Sequence, residues 1–243
     1  MFGSFGGGNE IYTGDIPASL RFRGRAVNAY TSRTFGTPTS QNSWAYSVWV
    51  KFSEMPNGSN YQPLLSAGPV ASSTWPGETL FLYQDGTLAY YASSSAGTHN
   101  VSKRSTRVFR DPTSWVHIFV RKTAAANSGL TFVRLWVNNE EITSWAVNAY
   151  TGTQASVPDY INVASTLHAG GRSFSGENLN GYKARECFVD NGGSLLPTDF
   201  GYFNPEINEW VTKSQSAVKA VVDAGGTNSF MLDFDDATSL TTL

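Results

Sequence analysis

A chain of 243 residues with one cysteine and 15% charged residues can bury roughly 70–75% of its unfolded surface and cannot close an intrachain disulfide. Its net charge of −2, with no long run of either sign, excludes an electrostatic groove for nucleic acid. No stretch approaches the ~20 apolar residues of a membrane span, and 14% aromatic residues exclude a disordered chain.

Residues 1–17 form a glycine-rich arm carrying Phe2 and Phe5. The arm has no basic start and no apolar core, so it is not a secretory signal, and the chain is expected to be made in a cytoplasm. It reads either as a free tail or as an anchoring peptide. In the second case Phe2 and Phe5 dock on a neighbouring protein and the glycines let the backbone lie flat. Residues 18–243 are expected to form one sandwich domain.

Alternating apolar and polar residues mark the first strands, Ser19–Phe22 and Ala29–Arg33. In the next, Trp44 to Phe52, the residues Trp44, Tyr46, Val48, Val50 and Phe52 share one face and Trp49 takes the other. Leu64 to Gly68 reads as a short buried strand. Thr79–Tyr83 and Thr87–Tyr91 flank Gln84-Asp85-Gly86, a hairpin signal. Ser93 to Asn100 reads as a polar loop.

The stretch Thr106 to Trp145 is the centre of the pattern. Two runs, Trp115–Arg121 and Thr131–Val137, are rich in β-branched and aromatic residues and predict paired antiparallel strands in mid-sheet. Asn138-Asn139 tolerates positive φ and predicts a tight turn into a short strand over Ile142–Trp145. Asn148 to Pro158 reads as irregular. Leu167–Arg172 and Leu179–Val189 read as strands, the second with Gly181 for a bulge or close packing and Cys187 as an inert buried thiol. Leu196–Gly201 predicts a helical turn with proline near its start, Ser214–Asp223 a short helix or strand, and Phe230–Phe234 a closing strand. About a dozen strands are too many for one open sheet, so two packed antiparallel sheets are expected.

This order resembles the concanavalin A-like jelly roll in its laminin-G and pentraxin-like form. The resemblance rests on Asp111-Pro112, Trp115-x-His117, Leu135-Trp136-Val137-Asn138-Asn139, Gly170-Gly171-Arg172, Gly181-Tyr182-Lys183-Ala184 and the run Leu195 to Phe200. Asn139 stands where the family usually has glycine, and Arg185 where an acidic residue is common. The ordered set Ser19–Phe22, Tyr30-x-Ser32-Arg33, Trp44 to Lys51, Val108 to Trp115 and Phe230 to Phe234 is similar to virion proteins of tailed bacteriophages that carry this domain. The resemblance implies an all-β, two-sheet antiparallel jelly-roll sandwich with an extended glycine-rich N-terminal arm. It also implies a non-enzymatic structural protein on the virion surface, either a capsid decoration or the base of a tail fibre. Its partners would then be other virion proteins and further copies of itself. The alternative is a lectin-like module that binds host surface glycan for attachment.

The sequence offers little for catalysis. It has no Gly-x-Ser-x-Gly elbow, and His99, His117 and His168 lack a defensible Ser/Asp partner. His117 alternates with Trp115 and Phe119 and reads as packed. Glycoside hydrolysis would need two carboxylates about 5–10 Å apart. The candidates, Glu140-Glu141 or Asp233, Asp235 and Asp236, read as solvated turn acids. Asp85, Asp159, Asp190 and Asn191 are candidate calcium ligands without ligand spacing, so no metal and no cofactor is expected. Glycan binding would use exposed aromatic platforms, for which Trp75 is the first candidate and Trp145 and Tyr150 the next.

Overall fold

The computed structural model describes residues 16–24, 29–56, 58, 60–68, 77–95, 98–123, 132–151, 160–172 and 177–235. Phe2 and Phe5 of the expected anchor, Trp75, Asp159 and Asp236 lie outside the described residues, as does the side chain of His99.

The strands follow in chain order. The first half of the chain holds β1 (Leu20–Arg23), β2 (Thr31–Thr34), β3 (Trp44–Phe52), β4 (Gln62–Ala67), β5 (Gly77–Leu82), β6 (Thr87–Ser95), β7 (Thr98–Val108) and β8 (Val116–Lys122). The second half holds β9 (Val133–Val137), β10 (Glu140–Glu141), β11 (Trp145–Tyr150), β12 (Thr166–Ala169) and β13 (Asn180–Asp190). A small hairpin, β14 (Gly201–Asn204) and β15 (Glu209–Thr212), then precedes helix α1 (Gln215–Asp223) and β16 (Phe230–Leu232).

Two antiparallel seven-stranded sheets face each other. The first runs β1-β13-β3-β8-β9-β10, with β16 also pairing β13, and the second runs β11-β7-β6-β5-β4-β12-β2. The chain passes repeatedly from one sheet to the other, which makes the sandwich a jelly roll. The alternation read in β3 is obeyed: Trp44, Tyr46, Val48, Val50 and Phe52 enter the core between the sheets, where Leu64, Leu80, Tyr90, Ile118, Val120, Leu135 and Phe188 meet them. β8 pairs β3 on one side and β9 on the other, and Asn138 and Asn139 make the turn at φ 48° and 67°.

Three segments depart from the sequence reading. The polar loop expected at Ser93–Asn100 is instead the end of β6 and the start of the eleven-residue β7. Its run Ser102-Lys103-Arg104-Ser105-Thr106 is polar on both faces, so no alternation betrays it. The short strand expected at Ile142–Trp145 is displaced: β10 pairs β9 at Glu140–Glu141, and Trp145 opens β11 in the opposite sheet. β11 continues to Tyr150, through residues read as irregular. The β14–β15 hairpin was not foreseen.

The hairpin, a single 3-10 turn at Pro197–Asp199 and α1 form a cap over the outer face of the first sheet. Ser214 starts α1 by accepting from the Ala217 N–H, and the helix buries Val218 and Val222 against Ala45, Phe119, Trp136, Cys187 and Phe200. Cys187 is fully buried, and burial raises its thiol pKa, as an inert thiol requires.

Two features of β13 set the interior chemistry. Gly181 packs so closely on β3 that a Cβ would lie 2.4 Å from the Lys51 carbonyl oxygen. Backbone cannot yield there, so Gly181→Ala should cost about 1–3 kcal/mol of stability, read by urea denaturation. An unchanged midpoint would refute that packing. Further along, the register slips between Ala184 and Cys187, with Arg185 at φ 42°. This bulge inserts one extra residue, and it turns both Lys183 and Glu186 into the sandwich. Both side chains are fully buried, and the Lys183 Nζ donates to Glu186 Oε1 at 2.6 Å, to the Leu64 carbonyl at 2.6 Å and to the Tyr46 hydroxyl at 3.0 Å. A second buried pair joins the sheets, with Lys122 Nζ 3.2 Å from Glu78 Oε1.

Candidate functional site

The described acids weighed for catalysis, and His117, are engaged in structure. His117 is fully buried, with its ring stacked on Trp49 (centroids 5.0 Å apart) and facing Trp210 (6.1 Å). The Trp210 indole can only donate, and its Nε1 lies 3.0 Å from His117 Nδ1. The imidazole proton is therefore on Nε2, 2.8 Å from Ser47 Oγ. Burial drives the pKa down to about 3, so His117 is neutral at physiological pH and closed to solvent. Asp233 pairs with Arg185 at 2.9 Å, and Asp235 accepts from Gln215 at 3.2 Å. Glu140 pairs with Arg107 and Glu141 with Arg134.

The described calcium candidates, Asp85, Asp190 and Asn191, are occupied in holding turns and loops. Asp190 is fully buried and accepts N–H donors from Ser40 and Asn162 on Oδ1 and from Thr39 and Asn228 on Oδ2. Four donors occupy the four lone-pair sites of a carboxylate. Burial opposes its ionisation, but the bonds from Thr39, Asn162, Ser40 and Asn228 outweigh that and hold the pKa below the ordinary aspartate value. Asp85 caps the β5–β6 turn by accepting from the Thr87 backbone N–H at 3.0 Å, and Asn191 supplies a positive φ of 62°. Among the described residues no group of three or more His, Cys, Asp or Glu side chains is placed to hold a metal ion, and no helix is long and apolar enough to cross a membrane.

Trp145 and Tyr150, named as glycan platforms, sit on edge strand β11 and are half-buried against the main core. The Lys103 ammonium lies 4.5 Å from the Trp145 ring centre, and Tyr150 meets Phe132 edge-on at 5.6 Å. Burial lowers the Lys103 pKa to about 8.

The outer face of the second sheet presents a different arrangement. Leu80, Leu82, Tyr90 and Ala92 point into the core, so the alternate residues of β5 and β6, Phe81 and Tyr91 among them, point outward. Phe81 is 1% exposed and forms a floor. Tyr61 stands edge-on to it at 5.5 Å, Tyr91 at 5.0 Å, and Tyr83 is tilted at 6.1 Å. All three tyrosines are partly exposed. Burial, with a hydrogen bond to Tyr83, pushes the Tyr61 phenol up to about 12, so it keeps its proton and stays a donor.

Two guanidinium groups frame this cluster. Arg104 lies 4.6 Å from the Tyr83 ring centre and 3.4 Å from Asp85. Arg172 lies 5.5 Å from the Phe81 ring centre and 5.9 Å from that of Tyr61, and pairs with Glu177 at 2.8 Å. Burial lowers its pKa to about 9, so it remains charged at neutral pH. Aromatic faces beside fixed polar groups are what a sugar ring requires, since its C–H face stacks and its rim hydrogen-bonds. Sequence reasoning missed these tyrosines. Their signal was the Phe81-x-Tyr83 alternation facing Tyr91 across a readable hairpin, while Tyr61 and Arg172 come from remote strand ends.

No protein-family model matches the chain, and no curated protein sequence matches it. Solved structures are similar in fold. A sialidase of Trypanosoma rangeli, in complex with a difluoro-KDN, aligns over 74% of this chain and 26% of its own with 13% identity and a TM-score of 0.50. The chain thus spans about a quarter of that enzyme's length, and the likeness is one of fold. A heptameric SAP-like pentraxin from Limulus polyphemus aligns over 93% of this chain and 97% of its own, at 10% identity and a TM-score of 0.47. Domain 4 of the arabinanase AbnA from Geobacillus stearothermophilus, in complex with arabinotriose, aligns over 74% and 69%, at 14% identity and a TM-score of 0.40.

Proposed function

We propose that this chain is a non-enzymatic, glycan-binding sandwich module on the surface of a tailed-phage particle. The observation that carries glycan binding is the outward cluster of Tyr61, Tyr83 and Tyr91 over Phe81, framed by Arg104 and Arg172. The non-enzymatic part is supported by the engagement of each described catalytic candidate: His117 is neutral and packed, and the described acids are paired or serve turns. The particle surface is supported by the resemblance of the ordered motifs to those of tailed-phage virion proteins. In this reading residues 1–17, with Phe2 and Phe5, attach the module to a neighbouring virion protein, and copies of the chain assemble together.

The binding claim is tested on a glycan array. The protein should retain host polysaccharide, and Tyr83→Ala should weaken that retention by about tenfold, the loss of one aromatic contact. An array without signal, or a Tyr83→Ala variant that binds as before, would remove the reading. Its placement is tested separately by immunogold electron microscopy of purified particles. Gold over the head makes the chain a capsid decoration, gold at the tail makes it part of a fibre, and unlabelled particles exclude both.

A further inference from the structure

The closing strand leaves one edge of the first sheet open. Among the described residues β16 pairs with β13 alone, so its other edge carries main-chain N–H and C=O groups with no strand to meet them. Phe230 and Leu232 turn to the core between the sheets, and Met231 turns to the cap that holds α1. Between α1 and this strand lies a cavity of about 420 Å³. Its helix wall is Gln215, Lys219, Val222 and Asp223, which share one face of α1 by their spacing of i, i+4, i+7 and i+8. Its other wall is the continuous run from Ser229 to Asp235.

The charge of this cavity is acidic. Asp233 is held by Arg185 through Oδ1, while its Oδ2 meets no donor among the described residues. Asp235 is exposed, accepts from the uncharged Gln215 amide at 3.2 Å, and pairs with no cation among the described residues. Lys219, the cation of the lining, is bound by both oxygens of Asp223 at 2.6 Å. On the opposite side of β16 the sign changes. Arg33 of β2 lies 5.2 Å from the Phe230 ring centre, beside a small apolar slot lined by Leu167, Ala169 and Leu232. A cation is therefore favoured on the α1 side of the strand and opposed on the β2 side.

We infer that the free edge of β16 takes an extended segment of another protein, with a lysine or arginine over the α1 cavity and small apolar side chains on the β2 side. Main-chain hydrogen bonds to the edge supply affinity, and the alternation of side chains in the added strand sorts the basic residue to the acidic cavity. Asp235 and Asp233 are its partners. The chain itself is a poor occupant. Residues 1–15 and 236–243 contain no lysine or arginine, and a second copy joined edge to edge would set Asp233 and Asp235 against their own counterparts. The inference is independent of the glycan-binding reading, whose tyrosines lie on the other sheet.

The test titrates the full chain with three dye-labelled heptapeptides, read by fluorescence anisotropy. One alternates valine and lysine, one alternates valine and glutamate, and the third is the valine–lysine peptide with its amides N-methylated. The valine–lysine peptide should bind about tenfold tighter than either of the others. Its binding should weaken with added salt and should slow hydrogen exchange at the amides of Phe230, Met231 and Leu232. Asp235→Lys should turn the preference towards the glutamate peptide, a reversal that loss of folding cannot imitate. Equal affinity for the lysine and glutamate peptides would overturn the inference, as would undiminished binding after N-methylation or no binding by any of the three. Binding that appears only once residues 236–243 are deleted would make the chain's own tail the occupant, and would overturn it too.

Discussion

Glu78→Ala is expected to lower stability by about 3–5 kcal/mol, the cost of stranding a buried charge. Glu78 projects from β5 into the space between the sheets and is 1% exposed. Its Oε1 accepts from Lys122 Nζ on β8 and from the Tyr90 hydroxyl, and its Oε2 accepts from the backbone N–H groups of Tyr160 and Ile161 at 3.0 and 2.9 Å. One carboxylate thus ties the two sheets and the turn before β12. Its removal takes the carboxylate from Lys122 and an acceptor from the Tyr90 hydroxyl and the two amides inside the core, where an unmet polar group costs about 1–3 kcal/mol. Against a typical domain stability of about 5–15 kcal/mol, the variant should unfold at low denaturant. A second variant keeps the question open to measurement: Glu78→Leu combined with Lys122→Met replaces the pair by apolar volume and should recover part of the loss. The recovery stays incomplete because the Tyr160 and Ile161 amides still lack their acceptor. Urea denaturation of both variants decides it. A single variant as stable as the wild type would show that the pair is idle, as is expected for the exposed Arg107–Glu140 pair.

The second large effect is acid sensitivity centred on His117. An unfolded histidine titrates near pH 6.5, whereas burial holds the folded His117 down to about 3. The contribution of the neutral ring is therefore complete above the unfolded value and is lost as pH falls from about 6.5 towards 3, where the unfolded chain binds a proton that the folded chain refuses. At about 1.4 kcal/mol per pH unit, stability should drop by about 3 kcal/mol between pH 6.5 and pH 4. His117→Phe keeps a flat ring between Trp49 and Trp210 but cannot take a proton. It should be less stable than wild type at pH 7, having lost the bonds to Ser47 and Trp210, yet clearly flatter between pH 7 and pH 4. A variant with the wild-type slope would assign the acid sensitivity elsewhere. Asp190, held below its ordinary pKa, adds its own loss only at lower pH, below the unfolded aspartate value of about 3.9.

Much of the sandwich was legible because one face of each strand is apolar. The five alternate aromatic and aliphatic residues of β3, the Asp85-Gly86 turn and the Asn138-Asn139 turn each carry a local cause that survives in the folded chain. β7 was illegible for an equally physical reason. Its inward residues include Lys103 and Ser105 and its outward ones Ser102 and Arg104, so polarity does not alternate. β11 has only Trp145, Val147 and Tyr150 as half-buried anchors, too few to mark a strand.

The site was less legible than the fold. Trp75, Trp145 and Tyr150 were named because large aromatics in polar surroundings suggest platforms. Trp145 and Tyr150 prove to have core partners, and the tyrosines that do gather outward looked like ordinary strand residues. Tyr61 and Arg172 are 111 positions apart, and no local pattern relates them.

By itself the sequence determined which residues face inward along most strands, where the tight turns fall, and that a chain with this pattern closes as two antiparallel sheets. These follow from side-chain alternation and backbone torsion, which are local. Only the tertiary structure decided which outward residues become neighbours and which charges go inside. Both depend on the register between strands distant in the chain. The bulge at Arg185 shows why: one extra residue reverses the face of every residue before it relative to those after it, and so brings Lys183 and Glu186 together in the core.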